Sequence, residues 1–299
     1  MNLKLTGLVA APFTPLTADG RLNPDMIDQL AHSLDSGQVR GAFVCGTTGE
    51  GLSLSTEERM EVAGKWKAAA SANLSIIVHV GHPALPESRR LAAHAAKIGA
   101  AAFATLAPIF YRATTTAQLV DYCAGIASAA PELPFFYYHI PAMAGADLPM
   151  IEFLQLASGR IPNLAGIKFT HENLMDYSRC LQFEGGRFNI LFGRDEILLA
   201  ALALGATGAV GSTYNYMPEI YHRVISAFAS GDLDTARRGQ AQAVEIISIM
   251  SRRGGLPAAK AMMKLIGLDC GPVRSPLSPL SPETLDLLTR ELAEAGFPS

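Results

Sequence analysis

Eight short apolar runs, separated by segments with helical spacing, are the feature that most constrains how this chain folds. Each run has the length of one strand and is almost continuously apolar, which is typical of strands buried on both faces. The runs are Leu5–Ala11, Gly41–Cys45, Ser75–Val80, Ala101–Ala107, Leu133–His139, Leu164–Phe169, Asn189–Phe192 and Gly208–Gly211. Apolar residues between most runs recur with a period of about 3.6. That period predicts helices at Asp25–Ser36, Ser55–Ala70, Pro86–Ile98, Thr116–Ala129, Pro149–Leu156 and Glu172–Leu181.

Regular alternation of strands and helices predicts an α/β protein with a parallel sheet. Eight buried strands favour a closed (β/α)8 TIM barrel over an open doubly wound sheet, which remains the alternative. Helical spacing continues beyond the last strand and predicts a C-terminal helical extension at Pro218–Ser230, Leu233–Arg252, Leu256–Leu265 and Pro282–Ala295. We therefore expect a single domain over residues 1–299, with the barrel at about 1–217 and the C-terminal helices at about 218–299.

Composition narrows the possible partners to small molecules. Lysine plus arginine (24) nearly balances aspartate plus glutamate (27), and no basic stripe predicts nucleic acid binding. The sequence has no long apolar run for a membrane and no secretory pattern, so a cytoplasmic protein is expected. No CxxC pair occurs, and the histidines lack metal-ligand spacing, so neither metal nor cofactor is expected. The four scattered cysteines are Cys45, Cys123, Cys180 and Cys270.

Lys168 is the only charged residue in the apolar run Asn163–Thr170, near the carboxyl end of the sixth predicted strand. A lysine at a strand end commonly extends to solvent or pairs with a carboxylate. If apolar walls enclose it instead, burial disfavours the ammonium, and the neutral amine can form a Schiff base with a carbonyl. Catalytic groups of such barrels lie at the carboxyl ends of the strands, and this position favours the second interpretation.

The segment Gly46–Glu50 follows the second predicted strand and contains two glycines and two threonines. Glycine permits a tight backbone path, and clustered N–H groups with the hydroxyls of Thr47 and Thr48 would bind a carboxylate or phosphate. An ordinary strand-to-helix turn explains the same composition. The segment alone does not decide between a turn and an anion site.

Tyr138 and the acidic pair Asp195 and Glu196 also follow predicted strands. A phenol beside an imine-forming lysine can act as general acid and base, although many buried tyrosines serve packing alone. Alternation along the strand places Tyr137 and His139 on the opposite face from Tyr138. The acidic pair precedes an apolar helix and could cap it, or it could bind a polyhydroxylated ligand.

Three motifs resemble the N-acetylneuraminate lyase and dihydrodipicolinate synthase superfamily of pyruvate-dependent class I aldolases, and the similarity covers essentially the whole chain. Gly46–Glu50 matches the loop that binds the pyruvate carboxylate in that superfamily. Tyr138–Pro141 matches the segment of its catalytic tyrosine, and Gly166–Lys168 matches its Schiff-base strand. The resemblance therefore implies an aldolase on a TIM barrel.

The branch of N-acetylneuraminate lyases is the most similar within that superfamily. The segments that carry this similarity are Tyr137–Met143, Phe192–Ile197 and Gly205–Asn215. The implied reaction is cleavage of N-acetylneuraminate, a 2-oxo sugar acid, to pyruvate and N-acetylmannosamine through a Schiff base. A homotetramer is implied by the same resemblance.

The resemblance also implies the roles of individual residues. Lys168 would be the nucleophile and Tyr138 the proton relay, while Thr47 and Thr48 would bind the pyruvate carboxylate. The remaining substrate-binding positions would contact the sugar-derived part, and they are Thr170, Gly193, Asp195, Glu196, Gly211 and Ser212.

Three positions depart from the superfamily's patterns. Met143 replaces an arginine that grips a second carboxylate in the synthase branch, and Phe110 replaces a tyrosine that extends a relay across subunits there. Both departures argue against dihydrodipicolinate synthase. Arg194 stands where an uncharged residue is expected in the lyases, so the sugar side of the pocket could differ. An aldolase or dehydratase for another 2-oxo-3-deoxy sugar acid and a non-catalytic sugar-acid sensor therefore remain alternatives.

Overall fold

The computed structural model of the chain describes residues 3–297, and these contain a closed barrel of eight parallel strands. Strand β1 (Gly7–Ala10) pairs with both β2 (Gly41–Val44) and β8 (Gly208–Gly211), so the sheet has no free edge and the predicted TIM barrel is confirmed. Residues 1, 2, 298 and 299 of the predicted domain lie outside the described part. The strands are β1 Gly7–Ala10, β2 Gly41–Val44, β3 Ser75–His79, β4 Ala102–Leu106, β5 Phe135–His139, β6 Leu164–Phe169, β7 Asn189–Phe192 and β8 Gly208–Gly211.

The helices follow the predicted order, and each predicted helix agrees with the structure to within two residues at either end. Two further short helices, α5 and α8, follow β5 and β7. The full set is α1 Met26–Ser36, α2 Thr56–Ala69, α3 Leu85–Lys97, α4 Thr116–Ala127, α5 Pro141–Ala144, α6 Met150–Ala157, α7 Leu174–Gln182, α8 Leu198–Ala203, α9 Pro218–Ala229, α10 Leu233–Arg252, α11 Leu256–Leu265 and α12 Pro282–Glu294.

Helix α9 packs as a member of the outer ring of barrel helices. Its His222 Nε2 lies 2.8 Å from the carbonyl oxygen of Gly37, the C-cap residue of α1, so α9 is the last helix of the ring and lies next to the first. Helices α10, α11 and α12 lie beyond this ring. Among residues 3–297 there is no helix long and apolar enough to cross a membrane.

Helix α10 fixes the extension against the carboxyl-terminal end of the barrel. The Gln240 side chain donates to the carbonyl oxygen of Asp195 at 3.1 Å and accepts from the backbone N–H of Leu199 at 2.9 Å. These bonds satisfy backbone groups in the loop after β7. The same helix therefore lies beside the strand ends that carry the predicted site residues.

A capping box begins α2. Ser55 accepts from the Glu58 backbone N–H at 3.1 Å, and the Glu58 carboxylate accepts from the Ser55 backbone N–H at 2.8 Å. Glu58 also accepts two hydrogen bonds from the Arg274 guanidinium, at 2.6 and 2.7 Å. Glu58 therefore both caps the N-terminus of α2 and binds the segment between α11 and α12 to that helix.

Candidate active site

Lys168 is enclosed within the barrel and is only 4% exposed. Its Nζ lies 4.2 Å from the ring centroid of Phe43 and 4.0 Å from that of Tyr138. Burial lowers the pKa of Lys168 to about 7, while the Asp195 carboxylate opposes this shift. The side chain therefore does not extend to solvent, and a large fraction of it is a neutral amine at neutral pH.

Tyr138 faces Lys168 from the neighbouring strand. The two residues are register partners on β5 and β6, and in parallel strands such partners point to the same side of the sheet. The Tyr138 hydroxyl lies 3.2 Å from Thr47 Oγ1. Burial raises the pKa of Tyr138 to about 12 against the opposing effect of the Thr47 hydrogen bond, so the phenol is protonated at neutral pH. Tyr137 points outward and packs on Phe153 with ring centroids 4.7 Å apart.

A buried ion pair between Glu50 and Lys260 anchors the Gly46–Glu50 loop. Glu50 Oε1 lies 2.8 Å from Lys260 Nζ, and both side chains are 3% exposed. Glu50 Oε2 accepts from the Arg274 backbone N–H at 2.7 Å, and Lys260 donates to the Pro272 carbonyl at 2.7 Å. Glu50 has a left-handed φ of +52°, a conformation that costs on the order of 1 kcal/mol in a residue with a side chain. The C-terminal extension therefore holds the loop that carries Thr47 and Thr48.

Asp195 is buried beside the amine with one carboxylate oxygen free. Its Oδ2 accepts from the backbone N–H and the hydroxyl of Thr213, at 3.1 and 2.6 Å. Its Oδ1 has no hydrogen-bond partner among the described residues. Burial raises the pKa of Asp195 to about 6 despite the Thr213 bonds. In the described structure no side-chain hydrogen bond caps α8, so Asp195 does not cap this helix, and its Oδ1 stays free for another donor.

Two glycines make room for these side chains. A Cβ on Gly211 would lie 1.9 Å from Asp195 Oδ1, and a Cβ on Gly193 would lie 2.0 Å from Thr170 Oγ1. Any larger residue at either position would displace the neighbouring oxygen. Thr170 Oγ1 is itself buried without a hydrogen-bond partner among the described residues, so it is available to a ligand.

All of the predicted site positions line one cavity of about 260 Å³ at the carboxyl-terminal end of the barrel. They are Thr47, Thr48, Tyr138, Lys168, Thr170, Gly193, Asp195, Glu196, Gly211 and Ser212. A second cavity of about 520 Å³ shares Thr47, Thr48, Ser212 and Met250 with the first and is also lined by Leu106 and Met143. The fold thus brings together all ten predicted site positions.

Helix α10 adds residues to the cavity that the sequence analysis did not identify. Ile247, Met250 and Ser251 line the same space as Lys168. The helical period predicts α10 itself, but nothing in the sequence indicates that it packs over the mouth of the barrel. The wall of the cavity that α10 lines therefore forms only through tertiary packing.

Arg194 forms ion pairs at the rim of the cavity. Its guanidinium contacts Glu172 closely, and its Nη1 lies 3.3 Å from Glu196 Oε1. Side chains of all three residues are partly exposed. Glu196 is therefore one member of a charge cluster at the rim of the cavity.

Known proteins that are similar to this chain over nearly its full length include several N-acetylneuraminate lyases. The family model described as the dihydrodipicolinate synthetase family matches residues 4–295. The N-acetylneuraminate lyase of Gallus gallus is 43% identical, over 99% of this chain and 97% of that protein. The solved structure of the Proteus mirabilis N-acetylneuraminate lyase has a TM-score of 0.96 and 40% identity, covering 99% of this chain and 100% of that one. The N-acetylneuraminate lyase (sialic acid aldolase) of Aliivibrio salmonicida has a TM-score of 0.96 at 41% identity, covering 99% of each chain.

Proposed function

This chain belongs to the dihydrodipicolinate synthetase family, and we propose that it is a carbon–carbon lyase that cleaves N-acetylneuraminate to pyruvate and N-acetylmannosamine. One observation carries the mechanism: a buried amine whose pKa is lowered to about 7 lies 4.0 Å from the ring of a protonated tyrosine. The choice of N-acetylneuraminate as substrate rests on the 43% identity to the Gallus gallus lyase over nearly the full length of both chains.

Schiff base formation is the first step of the proposed mechanism. The neutral Lys168 amine adds to the 2-oxo carbon of the substrate and forms a carbinolamine. Tyr138 then donates its phenolic proton to the departing hydroxyl, so water leaves and a protonated imine remains beside a phenolate. The new positive charge stabilises the phenolate, which burial alone would disfavour.

Carbon–carbon cleavage follows from the same pair of residues. The Tyr138 phenolate accepts the proton of the C4 hydroxyl, the C3–C4 bond breaks, and its electron pair moves into the imine to give an enamine. N-acetylmannosamine leaves with its aldehyde carbon at the former C4. Tyr138 returns the proton to C3, and hydrolysis of the imine releases pyruvate and the free amine.

The remaining residues of the cavity would bind the two ends of the substrate. We propose that Thr47 and Thr48 bind the carboxylate, since their loop lies next to Tyr138. Asp195 and Thr170 each offer an unpartnered buried oxygen for hydroxyl groups of the sugar-derived part. Gly193 and Gly211 contribute the space that these oxygens occupy.

A direct comparison of substrates tests the proposed function. Purified protein would be assayed for pyruvate release from N-acetylneuraminate and from shorter 2-oxo-3-deoxy sugar acids. We expect a higher kcat/KM for N-acetylneuraminate. A preference for the shorter acids would instead support the related aldolase, for which the Arg194 cluster with Glu172 and Glu196 is the motivating observation.

Tyr138→Phe is expected to lower kcat by about 10²- to 10⁴-fold, because positioned acid and base groups contribute accelerations of this order. Steady-state pyruvate release from N-acetylneuraminate measures the loss. Tyr137→Phe is the matched control, since that ring packs outside the barrel. Equal losses in the two variants would contradict a proton relay at Tyr138.

The decrease in kcat/KM at acidic pH is expected to reflect protonation of the Lys168 amine. Because the amine must be neutral to attack, kcat/KM should fall as pH drops below about 7, by roughly tenfold per pH unit. The Asp195 carboxylate raises the pKa of Lys168, so Asp195→Asn should move the acid limb to lower pH. Initial rates between pH 5 and 9 measure this shift, and an acid limb that moves to higher pH in the variant would contradict the assignment.

We also propose that the chain forms a cytoplasmic homotetramer, as its resemblance to the family implies. Phe110 and Tyr111 support assembly, since these adjacent aromatic residues after β4 are 79% and 86% exposed. Exposed aromatic pairs commonly mark contact surfaces between subunits. Light scattering coupled to size-exclusion chromatography measures the assembly.

A further inference from the structure

Three side chains that the proposed mechanism does not use meet on the outer side of β5. They are His139, Asp147 and His171, and one ligand atom from each lies within 4.8 Å of those from the other two. His139 ends β5, Asp147 lies between α5 and α6, and His171 follows β6. Because side chains alternate along a strand, His139 faces away from the cavity that Tyr138 faces.

His139 is the residue that points to a ligand. It is 1% exposed, and its Nδ1 is buried without a hydrogen-bond partner among residues 3–297. Leaving a buried polar atom unsatisfied costs about 1–3 kcal/mol. The ring of His171 lies beside it, with centroids 5.4 Å apart and planes at 81°. A group that accepts a lone pair from His139 would remove this cost.

We propose that His139, Asp147 and His171 bind one divalent transition-metal ion of the zinc class. Two imidazoles and a carboxylate form a common ligand set for such ions, with the remaining positions left to water, whereas Mg²⁺ and Ca²⁺ prefer oxygen ligands alone. Metal–ligand bonds of about 2.0–2.2 Å need donors closer together than the present limit of 4.8 Å. Exposed Asp147 and partly buried His171 have room to close around buried His139.

The proposed ion would connect two strand ends that carry active-site residues. His139 directly follows Tyr138, and His171 directly follows Thr170, while the Thr170 backbone N–H donates to the His139 carbonyl at 2.8 Å. Glu172 Oε2 lies 3.9 Å from His171 Nε2 and can orient that ring from outside. Because the ion would not touch the substrate cavity, its effect should be on stability and not on the chemistry at Lys168.

Calorimetric titration of untagged, chelator-treated protein with ZnCl₂ tests this site. We expect one Zn²⁺ per chain, and an increase in Tm, because a ligand of the folded state stabilises it by mass action. His171→Ala and Asp147→Asn each remove one ligand at the surface, and each should weaken binding by about 100-fold or more. His32→Ala, which removes an exposed histidine on α1, should leave binding unchanged.

Each outcome bears on the site. Zn²⁺ binding that is lost in both ligand variants and retained in His32→Ala supports it, and a Co²⁺ complex with ligand-field absorption bands that require His171 supports direct coordination. No binding, binding that neither ligand variant weakens, or equal affinity for Mg²⁺ would overturn it. Since these measurements do not depend on turnover, they stand apart from the test of the lyase activity.

Discussion

Lys168→Met is expected to reduce pyruvate release from N-acetylneuraminate by about 10⁴-fold or more, equivalent to roughly 5.5 kcal/mol of transition-state stabilisation. Methionine has a similar length and is apolar, so it fills the space between Phe43 and Tyr138 without an amine. Among residues 3–297, Lys168 is the only lysine that lines the cavity, so no other described side chain there is an amine that could form an imine with the substrate. Steady-state kinetics at pH 7.5 measure the loss.

The variant should remain folded, which separates loss of chemistry from loss of structure. Lowering the pKa of Lys168 from 10.5 to about 7 means that burial disfavours its ammonium by about 5 kcal/mol, a cost that methionine removes. The Tm of Lys168→Met should therefore be no lower than that of the wild type. Lys97→Met, at the far end of α3, is the matched control and should retain full activity. A Lys168→Met enzyme with about a tenth of wild-type activity would contradict the account, because it would have lost only roughly 1.4 kcal/mol.

Lys260→Met is expected to destabilise the protein by about 3–5 kcal/mol, the usual cost of removing one partner from a buried ion pair. The variant leaves the buried Glu50 carboxylate of the Gly46–Glu50 loop without its cation. The loop should then become less ordered, and the KM for N-acetylneuraminate should rise more than kcat falls. Urea denaturation at fixed protein concentration and steady-state kinetics measure the two effects.

A second lysine on α11 provides the control. Lys264 Nζ lies 3.0 Å from Asp269 Oδ2 in an exposed ion pair one helical turn later, so Lys264→Met should cost no more than about 1 kcal/mol. The double variant Glu50→Gln with Lys260→Met removes both buried charges, and it should recover part of the lost stability. Similar destabilisation by Lys260→Met and Lys264→Met would show that the buried pair does not brace the loop.

The barrel and the placement of Lys168 and Tyr138 at its strand ends could be predicted because the underlying sequence patterns are local. Eight apolar runs and the helical periods between them give the element order, and strand alternation correctly separates Tyr138 from Tyr137. The position of Lys168 in an apolar strand indicates burial, and the structure shows it at 4% exposure. These features depend on residues that are neighbours in sequence.

The rest of the site depends on residues that only the folded chain brings together. In the sequence, Lys260 is one charged residue of a predicted helix with no indicated partner. In the structure, it pairs with Glu50 at the end of the barrel. Met250 reads as one apolar residue of a long helix, yet it lines the cavity. His139 and His171 have no metal-ligand spacing in the sequence, and they meet because β5 and β6 are paired. Sequence periodicity carries no information about such long-range contacts.

Borohydride trapping with pyruvate is the most direct test of a Schiff base on Lys168. The wild-type protein would be incubated with pyruvate and sodium borohydride, digested, and analysed by mass spectrometry. We expect one stable reduced pyruvyl group per chain, located on the peptide that contains Lys168 and absent from Lys168→Met. No adduct, or an adduct on another lysine such as Lys260, would contradict it.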